Sequence, residues 1–493
     1  MKYALGIDVG SSSVKVAVVE VDSGKLRATA QYPKTEMSMI TEKKSWAEQD
    51  PEMWWEAYLK GLEEVGKEKG ILANVTHIGI SYQMHGLVCV NEKQQVLRPS
   101  IIWCDSRAVE IGDQAFKEIG STFCLGCLLN SPGNFTASKL KWVKENEPEI
   151  YKQIHKIMLP GDYIAMKLSG KISTTISGLS EGVFWDFEHQ EVSNQIMKQF
   201  GFDHDLIPEY YPSFSEHAVI SDEIAHELGL NPEVKITYKA GDQPNNALSL
   251  NVMEPGEIAA TAGTSGVVYG VVDALFVDER QRVNSFAHVN YSTDQQRIGV
   301  LLCINGVGIS NAWVKRNFGF KDYEEMNNEA ESLDAGSEGL FFFPFGNGAE
   351  RMLGNKNIEA SIEGLNYNIH SRAHIARAVQ EGIAFAFAYG MEAFKENNIE
   401  LTTIRAGRAN MFLSDLFAQT VSDLMVIPIE LYNTDGAIGA ARGALIGGRV
   451  LDQKQAFSNL QREKTYQPTS RSSYLDIYKE WKDKLTNKLK NNI

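Results

Sequence analysis

A chain of 493 residues is too long for one ordinary core, and about 150 residues per domain points to two or three domains. Apolar residues at 43% and charged residues at 23% are normal for a globular protein and exclude wholesale disorder. A formal net charge of −15 argues against nucleic acid as a partner, since its phosphate backbone calls for a basic face, but leaves room for a nucleotide held by a few N–H groups and a metal.

The N-terminus MKYALGIDVG carries one Lys and then a Gly/Asp pattern, which is not the pattern of a signal peptide. Tyr3 to Asp8 alternates weakly and breaks at Gly10-Ser11-Ser12-Ser13. Val14 to Val21 resumes as a β-branched run, with the next turn at Asp22-Ser23-Gly24-Lys25, so the chain opens on an antiparallel hairpin. Asp50-Pro51-Glu52 supplies an N-cap acceptor, a proline at the first helical position and an early acid. The helix it starts runs through Trp54, Trp55, Tyr58, Leu59 and Leu62 and is expected to stop at Gly70. Thr76 to Ser81 reads as a short strand, with a polar loop from Tyr82.

Near Pro255-Gly256 the opening pattern returns: a strand-like Glu257 to Ala262, a turn Gly263-Thr264-Ser265-Gly266, and a β-branched Val267 to Val272. Recurrence at half the chain length suggests a duplicated domain. A long amphipathic helix is expected from a Ser371 cap to Asn397, with Gly382 and Gly390 permitting close packing despite their low helix propensity. Small residues at Gly436, Ala437, Gly439, Ala440, Ala441, Gly443 and Ala444 predict another close-packed helix, and the tail from about Ser470, with Tyr474, Ile477, Tyr478 and Trp481, a terminal surface helix. With no low-complexity linker between them, the halves are expected to share a cleft. No run approaches the roughly 18 apolar residues of a membrane span. Five scattered cysteines (Cys89, Cys104, Cys124, Cys127 and Cys303) suit reduced thiols in a cytoplasm. The Cys124/Cys127 pair has no partner motif for zinc.

Four places carry chemistry. Asp8 with Gly10, Ser11, Ser12 and Ser13 offers a carboxylate for hydrated Mg²⁺ beside N–H and hydroxyl donors for phosphate; Lys15 adds a positive contact or faces water. Gly263, Thr264 and Ser265 form the matching turn, and two such turns facing a cleft would cradle a triphosphate from both sides. Asp242, next to Gly241 and Gln243 after the strand-like Val234 to Tyr238, is placed to accept a hydroxyl proton, or else closes the strand as an Asx turn. Gln83, Met84 and His85 offer an amide, a thioether and an imidazole to a sugar, against the alternative of core packing; Asp105 and Arg107 either bond hydroxyls or form a structural ion pair.

The ordered set resembles the FGGY carbohydrate kinases, most closely the xylulokinase group. It comprises Gly6-Ile7-Asp8-Val9-Gly10-Ser11-Ser12-Ser13, Trp46 to Pro51, Gln83-Met84-His85-Gly86-Leu87, Arg98 to Arg107, Gly241-Asp242-Gln243, Gly263 to Val267 and Arg377 to Gly382, nearly the whole chain. The resemblance implies an α/β fold of two ribonuclease-H-like (actin-like ATPase) domains flanking a central cleft. The expected boundaries are 1–247 for a sugar-side domain, 248–445 for a nucleotide-side domain and 446–493 for a helical extension. It also implies ATP as co-substrate with Mg²⁺, held through water by Asp8 with Asp242 as a second ligand. A ketopentose, expected to be D-xylulose, would be held by Met84, His85, Asp242 and Gln243 and phosphorylated on its terminal hydroxyl. A homodimer is a family-level expectation.

Two places depart from the family pattern. The usual Gly-rich nucleotide motif reads Ala406-Gly407-Arg408-Ala409-Asn410, with Gly407, Arg408 and Asn410 expected at the nucleotide. Gly348-Ala349-Glu350-Arg351-Met352 lacks the Thr-Pro that commonly follows Glu-Arg. Other readings are a kinase for sedoheptulose, ribulose or gluconate, a non-catalytic sugar or nucleotide sensor on the same fold, and a protein-directed ATPase.

Overall fold

The hairpin of the N-terminus and its counterpart half a chain later each begin a sheet of the same plan. A computed structural model describes residues 1–469 and 472–491. In the first sheet β1 (Tyr3–Val9), β2 (Val14–Glu20) and β3 (Leu26–Tyr32) pair antiparallel in succession. On its other side β1 pairs in parallel with β4 (Val75–Tyr82). The order is completed by an edge strand β5 (Phe214–Val219) and, between it and β4, β6 (Lys235–Gly241), which is parallel to β4.

The second sheet repeats this around β7 (Glu257–Ala262) and β8 (Gly266–Val272), with an edge strand β9 (Asn284–Ala287) beside β10 (Ile298–Ile304) on one flank. On the other flank come β11 (Thr403–Gly407), β12 (Ile429–Tyr432) and an edge strand β13 (Arg462–Tyr466). Three antiparallel strands followed by two parallel ones, twice over, is the ribonuclease-H-like plan. Residues Tyr3 to Ile7 of β1 are all buried, because helices cover both faces of the sheet; this explains the weak alternation.

Helix α1 (Pro51–Val65) is capped by the Asp50 carboxylate, which accepts from the Glu52 N–H at 3.0 Å. It ends at Gly66, four residues before the expected Gly70. A side chain at Gly66 would strike Leu72, 2.6 Å from its Cδ1, so the chain turns there and buries Ile71. Tyr82 is the last residue of β4 rather than the first of a loop.

The segment between β4 and β5 forms its own core around Met84, Leu87, Leu140, Leu179 and Phe184, which also takes in Phe286 and Ala287 of β9. Its short helix α2 (Ile176–Glu181) covers the β9 edge: Ser177 Oγ donates to Ala287 O and Ser180 Oγ accepts from Ala287 N, both at 2.9 Å. Helix α3 (Asp242–Ser249) follows β6, and α4 (Gly308–Asn317) follows β10.

Helix α5 (Arg372–Glu396) begins at Ser371 and is capped by Asn397, as expected. It is not amphipathic: every residue from His374 to Ala388 is buried. Gly382 meets the Phe342 carbonyl and Gly390 the Leu302 side chain, which is the close packing its glycines permit. Helix α6 (Gly436–Gly447) lies across the first sheet although in sequence it falls between strands β12 and β13 of the second. A methyl on Gly6 or Gly79 would overlap the carbonyls of Ala437 or Ala440, so strand and helix backbones touch and only small residues fit.

Helix α7 (Ser472–Asn491) starts beyond the expected Ser470, which lies outside the described residues. It is more than a surface helix: Trp481 is fully buried, stacks on Phe343 at 5.3 Å and donates to Phe342 O at 3.0 Å. No helix among the described residues is long and apolar enough to cross a membrane.

Candidate active site

Parallel strands β1, β4 and β6 end side by side, with Asp8 and Ala240 both in register with Ser81. Side chains just past those ends therefore meet at the carboxyl edge of the sheet, where open α/β sheets place their ligands. Ser81 Oγ donates to Asp8 Oδ1 at 2.8 Å, and Lys15 stands opposite Asp8 across the hairpin. Burial raises the Asp8 carboxyl above its ordinary range against the pull of Lys15 and Ser81. Asp242 is the first residue of α3. Burial, then the Asp8 charge, push it up to about 7 against hydrogen bonds from Gln243. Residues 234 positions apart thus share one electrostatic environment. Lys15 is half-buried and acts on the Asp8 carboxyl through its charge.

A hydrated Mg²⁺ takes one or two carboxylates and fills its remaining positions with water and phosphate oxygens. Asp8 and Asp242 match that demand. Among the described residues no group of three or more His, Cys, Asp or Glu is arranged to hold a metal, so the donor set suits an ion that arrives with phosphate rather than one caged by protein. All five cysteines are free.

Beside the carboxylates, Gln83 is buried; its N–H bonds Val9 O at 2.8 Å, its Nε2 donates to Gln49 Oε1 at 3.2 Å, and its Oε1 has no partner. Gln49 Nε2 in turn donates to Ser11 O at 2.7 Å, which links this loop to the Gly10–Ser13 turn. That turn is closed by the Gly10 N–H on Ser13 O at 3.0 Å, with Ser12 exposed at its tip. Gln243 Oε1 is likewise buried and unpartnered.

Met84 is buried, and His85 adopts a left-handed backbone with φ 61°. The imidazole packs between Phe135 at 4.8 Å and Phe286 at 5.4 Å. Nδ1 lies 2.9 Å from Glu181 O; a carbonyl only accepts, so Nδ1 carries the proton and Nε2 is left as an acceptor. Burial and the Lys139 ammonium push His85 down to about 3, which keeps the ring neutral. Three residues that sequence reading did not assign a role join here. Glu181 and Lys139 are fully buried against His85; Lys139 stands among Lys141, Lys144 and Glu145 and carries no sequence signal of its burial. The Trp103 indole, 49% exposed, donates to Ser11 Oγ at 3.3 Å.

Asp105 and Arg107, offered above as hydroxyl ligands or an ion pair, are the ion pair. Arg107 is bidentate on Asp105 and also pairs with Glu48 at 2.7 Å, its side chain only 1% exposed. Its guanidinium lies over the rings of Trp46 and Trp142, at 3.8 and 4.7 Å. Asp105 Oδ2 accepts from Ala47 N at 2.6 Å. Both side chains are consumed within the fold.

On the second sheet, the turn at Gly263, Thr264 and Ser265 joins β7 to β8 with Thr264 exposed. The start of α4 closes on it: Gly308 N donates to Gly263 O at 2.8 Å and Ile309 N to Thr264 O at 3.3 Å. Asn410, with φ 54°, brings its amide nitrogen to 3.5 Å from where a Gly263 side chain would start. Gly407 ends β11, whereas the Arg408 guanidinium turns to Glu463 on β13 at 3.1 Å. Outward pairing of Arg408 leaves the Gly407–Asn410 backbone uncovered by its bulk. Along α4 a cavity of about 620 Å³ is lined by Ile309, Trp313, Arg316, Phe342, Asn347 and Ile362. Sequence reading missed Gly308 and this wall; the Gly306-Val307-Gly308 triplet after a β-branched strand was the available signal.

A model of the N-terminal domain of the FGGY family of carbohydrate kinases matches residues 3–249, and the C-terminal-domain model of that family matches residues 258–448. The xylulose kinase of Bacillus subtilis (strain 168) is 30% identical over 461 residues, which cover 91% of this chain and 88% of that protein. The structure of ligand-bound xylulose kinase from Lactobacillus acidophilus aligns with a TM-score of 0.89 at 22% identity, covering 99% of this chain and 98% of the other. A gluconate kinase from the same organism aligns with a TM-score of 0.88, also at 22% identity, over 99% and 98% of the two chains. These two structures share this chain's fold.

Proposed function

Because the chain belongs to the FGGY family of carbohydrate kinases, we propose that it transfers the γ-phosphoryl group of ATP to the terminal hydroxyl of a ketopentose, converting D-xylulose to D-xylulose 5-phosphate. The observation that carries this reading is the convergence of Asp8 and Asp242 at the carboxyl ends of β1 and β6, the two strands that flank β4, with Asp242 pushed up to about 7 by burial and by Asp8. A base with that proton affinity is half ionised at neutral pH and sits beside the group that would orient the phosphate donor.

In this reading Asp242 accepts the proton of the attacking hydroxyl as the oxygen bonds to phosphorus and ADP leaves. His85 Nε2 accepts from a second sugar hydroxyl, Met84 covers an apolar face of the sugar, and the Gln83 and Gln243 amide oxygens meet further hydroxyls. The Gly10–Ser13 and Gly263–Ser265 turns donate N–H and O–H groups to the phosphates, so catalysis rests on positioning and charge stabilisation. Neutralisation of phosphate charge is the chemistry that Mg²⁺ supplies when bound. The cavity along α4 adjoins the second turn and has room for a nucleoside. The alignment with a xylulose kinase at 30% identity over most of both chains supports the acceptor.

A coupled ADP-release assay tests the proposal with D-xylulose, D-ribulose, sedoheptulose, gluconate and glycerol. D-Xylulose is expected to give a kcat/KM at least about tenfold above any other acceptor, a modest differential of about 1.4 kcal/mol. A higher value for gluconate or sedoheptulose would reassign the substrate, and sugar-independent ADP release would replace the kinase reading with an ATPase.

A further inference from the structure

His85 is held by its backbone on both sides. Its N–H donates to Glu181 Oε1 at 3.4 Å, its C=O accepts from Lys139 Nζ at 2.8 Å, and its Nδ1–H bonds the Glu181 carbonyl at 2.9 Å. Left-handed backbone is a strained choice for a residue with a side chain, so something must enforce φ 61° here. Glu181 and Lys139 are both fully buried, and each lies in the other's field. Burial pushes the Glu181 carboxyl up and the Lys139 ammonium down to about 7, and titratable groups so far out of water are retained only where they are bonded in place or have a task.

The remaining contacts of the pair reach the rest of the acceptor site. Lys139 Nζ also donates to Ile102 O at 3.0 Å, next to Trp103. Glu181 Oε2 has no partner and is wedged under the strand end that launches Asp242. A side chain at Gly241 would begin 2.5 Å from Oε2 and 2.6 Å from Met84 Cγ. Helix α2, which carries Glu181, is pinned to Ala287 of β9 through Ser177 and Ser180, and the preceding residue of that strand, Phe286, packs on the His85 ring. The clamp therefore rests on a helix of the first lobe that is hydrogen-bonded to an edge strand of the second, a support of the kind a precise binding geometry requires.

We infer that Glu181 and Lys139 are positioning residues that lock the His85 backbone so that its ring meets the Glu181 main-chain carbonyl in one tautomer, and thereby set which hydroxyl stereochemistry the acceptor pocket takes. This rests on the sugar-kinase reading but not on the identity of the sugar. With Nδ1–H engaged by a carbonyl, only a hydroxyl hydrogen aimed at Nε2 is rewarded. An epimer that turns that hydroxyl away loses the bond, and a site built to bond a hydroxyl discriminates strongly against its loss. Without the two side chains the backbone at His85 is free to relax, the ring shifts away from the Glu181 main-chain carbonyl that fixes its tautomer, and the discrimination falls.

The test uses the full-length enzyme and two epimeric ketoses that the parent phosphorylates, such as D-xylulose and D-ribulose. Glu181→Ala and Lys139→Met are each expected to raise the sugar KM at least about tenfold and to lower the epimer ratio of kcat/KM by a similar factor, with the ATP KM within about twofold of the parent. Glu181→Gln keeps an oxygen for the His85 N–H and is expected to retain the ratio within about threefold. An unchanged epimer ratio in Lys139→Met, or loss in Glu181→Gln equal to that in Glu181→Ala, overturns the clamp. Lys139→Met stands alone as the test if Glu181→Ala fails to fold. Preference for a sugar other than D-xylulose refutes the substrate assignment only, because the ratio is taken between whichever epimers are turned over.

Discussion

Replacing Asp242 by Asn keeps the shape of the side chain at the head of α3 and removes both its charge and its capacity to take a proton. A positioned general base contributes about 10² to 10⁴ in rate, so kcat should fall by that factor, a barrier increase of about 3 to 5 kcal/mol. The structure adds a second, sharper expectation. Burial and the Asp8 charge place the Asp242 carboxyl at about 7, and only its ionised form can accept the hydroxyl proton. For the parent, kcat/KM for the sugar should therefore fall about tenfold per pH unit below about pH 6 and level off above about pH 8. The residual activity of the variant should lack this acid limb. ADP release followed from pH 5.5 to 8.5 in both proteins (values chosen to span about 1.5 units either side of the carboxyl), with ATP binding measured calorimetrically, gives the comparison. Residual turnover within about tenfold of the parent, or an acid limb that survives in Asp242→Asn, would remove this carboxylate from proton transfer.

Arg107→Ala should strand the buried carboxylate of Asp105, leaving Glu48 to Arg98 alone, and lower stability by about 3 to 5 kcal/mol, read by urea denaturation. A rise in sugar KM without that loss would contradict the structural role. Gly79→Ala should drive a methyl into the Ala440 carbonyl and destabilise by at least about 1 to 3 kcal/mol; a midpoint equal to the parent's would show that α6 does not rest on the strand backbone.

What could be read along the chain was whatever neighbours in sequence control. Asp50-Pro51-Glu52 caps a helix by local hydrogen bonding, Ser371 does the same for α5, and each Gly/hydroxyl turn closes a hairpin whose two strands are adjacent in sequence. The recurrence of that hairpin exposed the duplicated sheet, and the small residues of α6 announced close packing, because a missing side chain is visible wherever its partner comes from.

Tertiary structure decided which distant groups meet, and with that the chemistry. Asp8 and Asp242 approach one another only because β1, β4 and β6 pair in register, a choice made by long-range hydrogen bonding that local periodicity does not encode. The same blindness made α5 look amphipathic and α7 look superficial, since the surfaces that bury His374 to Ala388 and Trp481 come from strands and loops far along the chain. It left Asp105 and Arg107 as candidate ligands until Glu48, Trp46 and Trp142 were seen to enclose them. It hid Glu181 and Lys139 altogether. Lys139 stands in sequence among Lys141, Lys144 and Glu145 like one more solvated charge, and only the folded chain shows which of them is buried and against what.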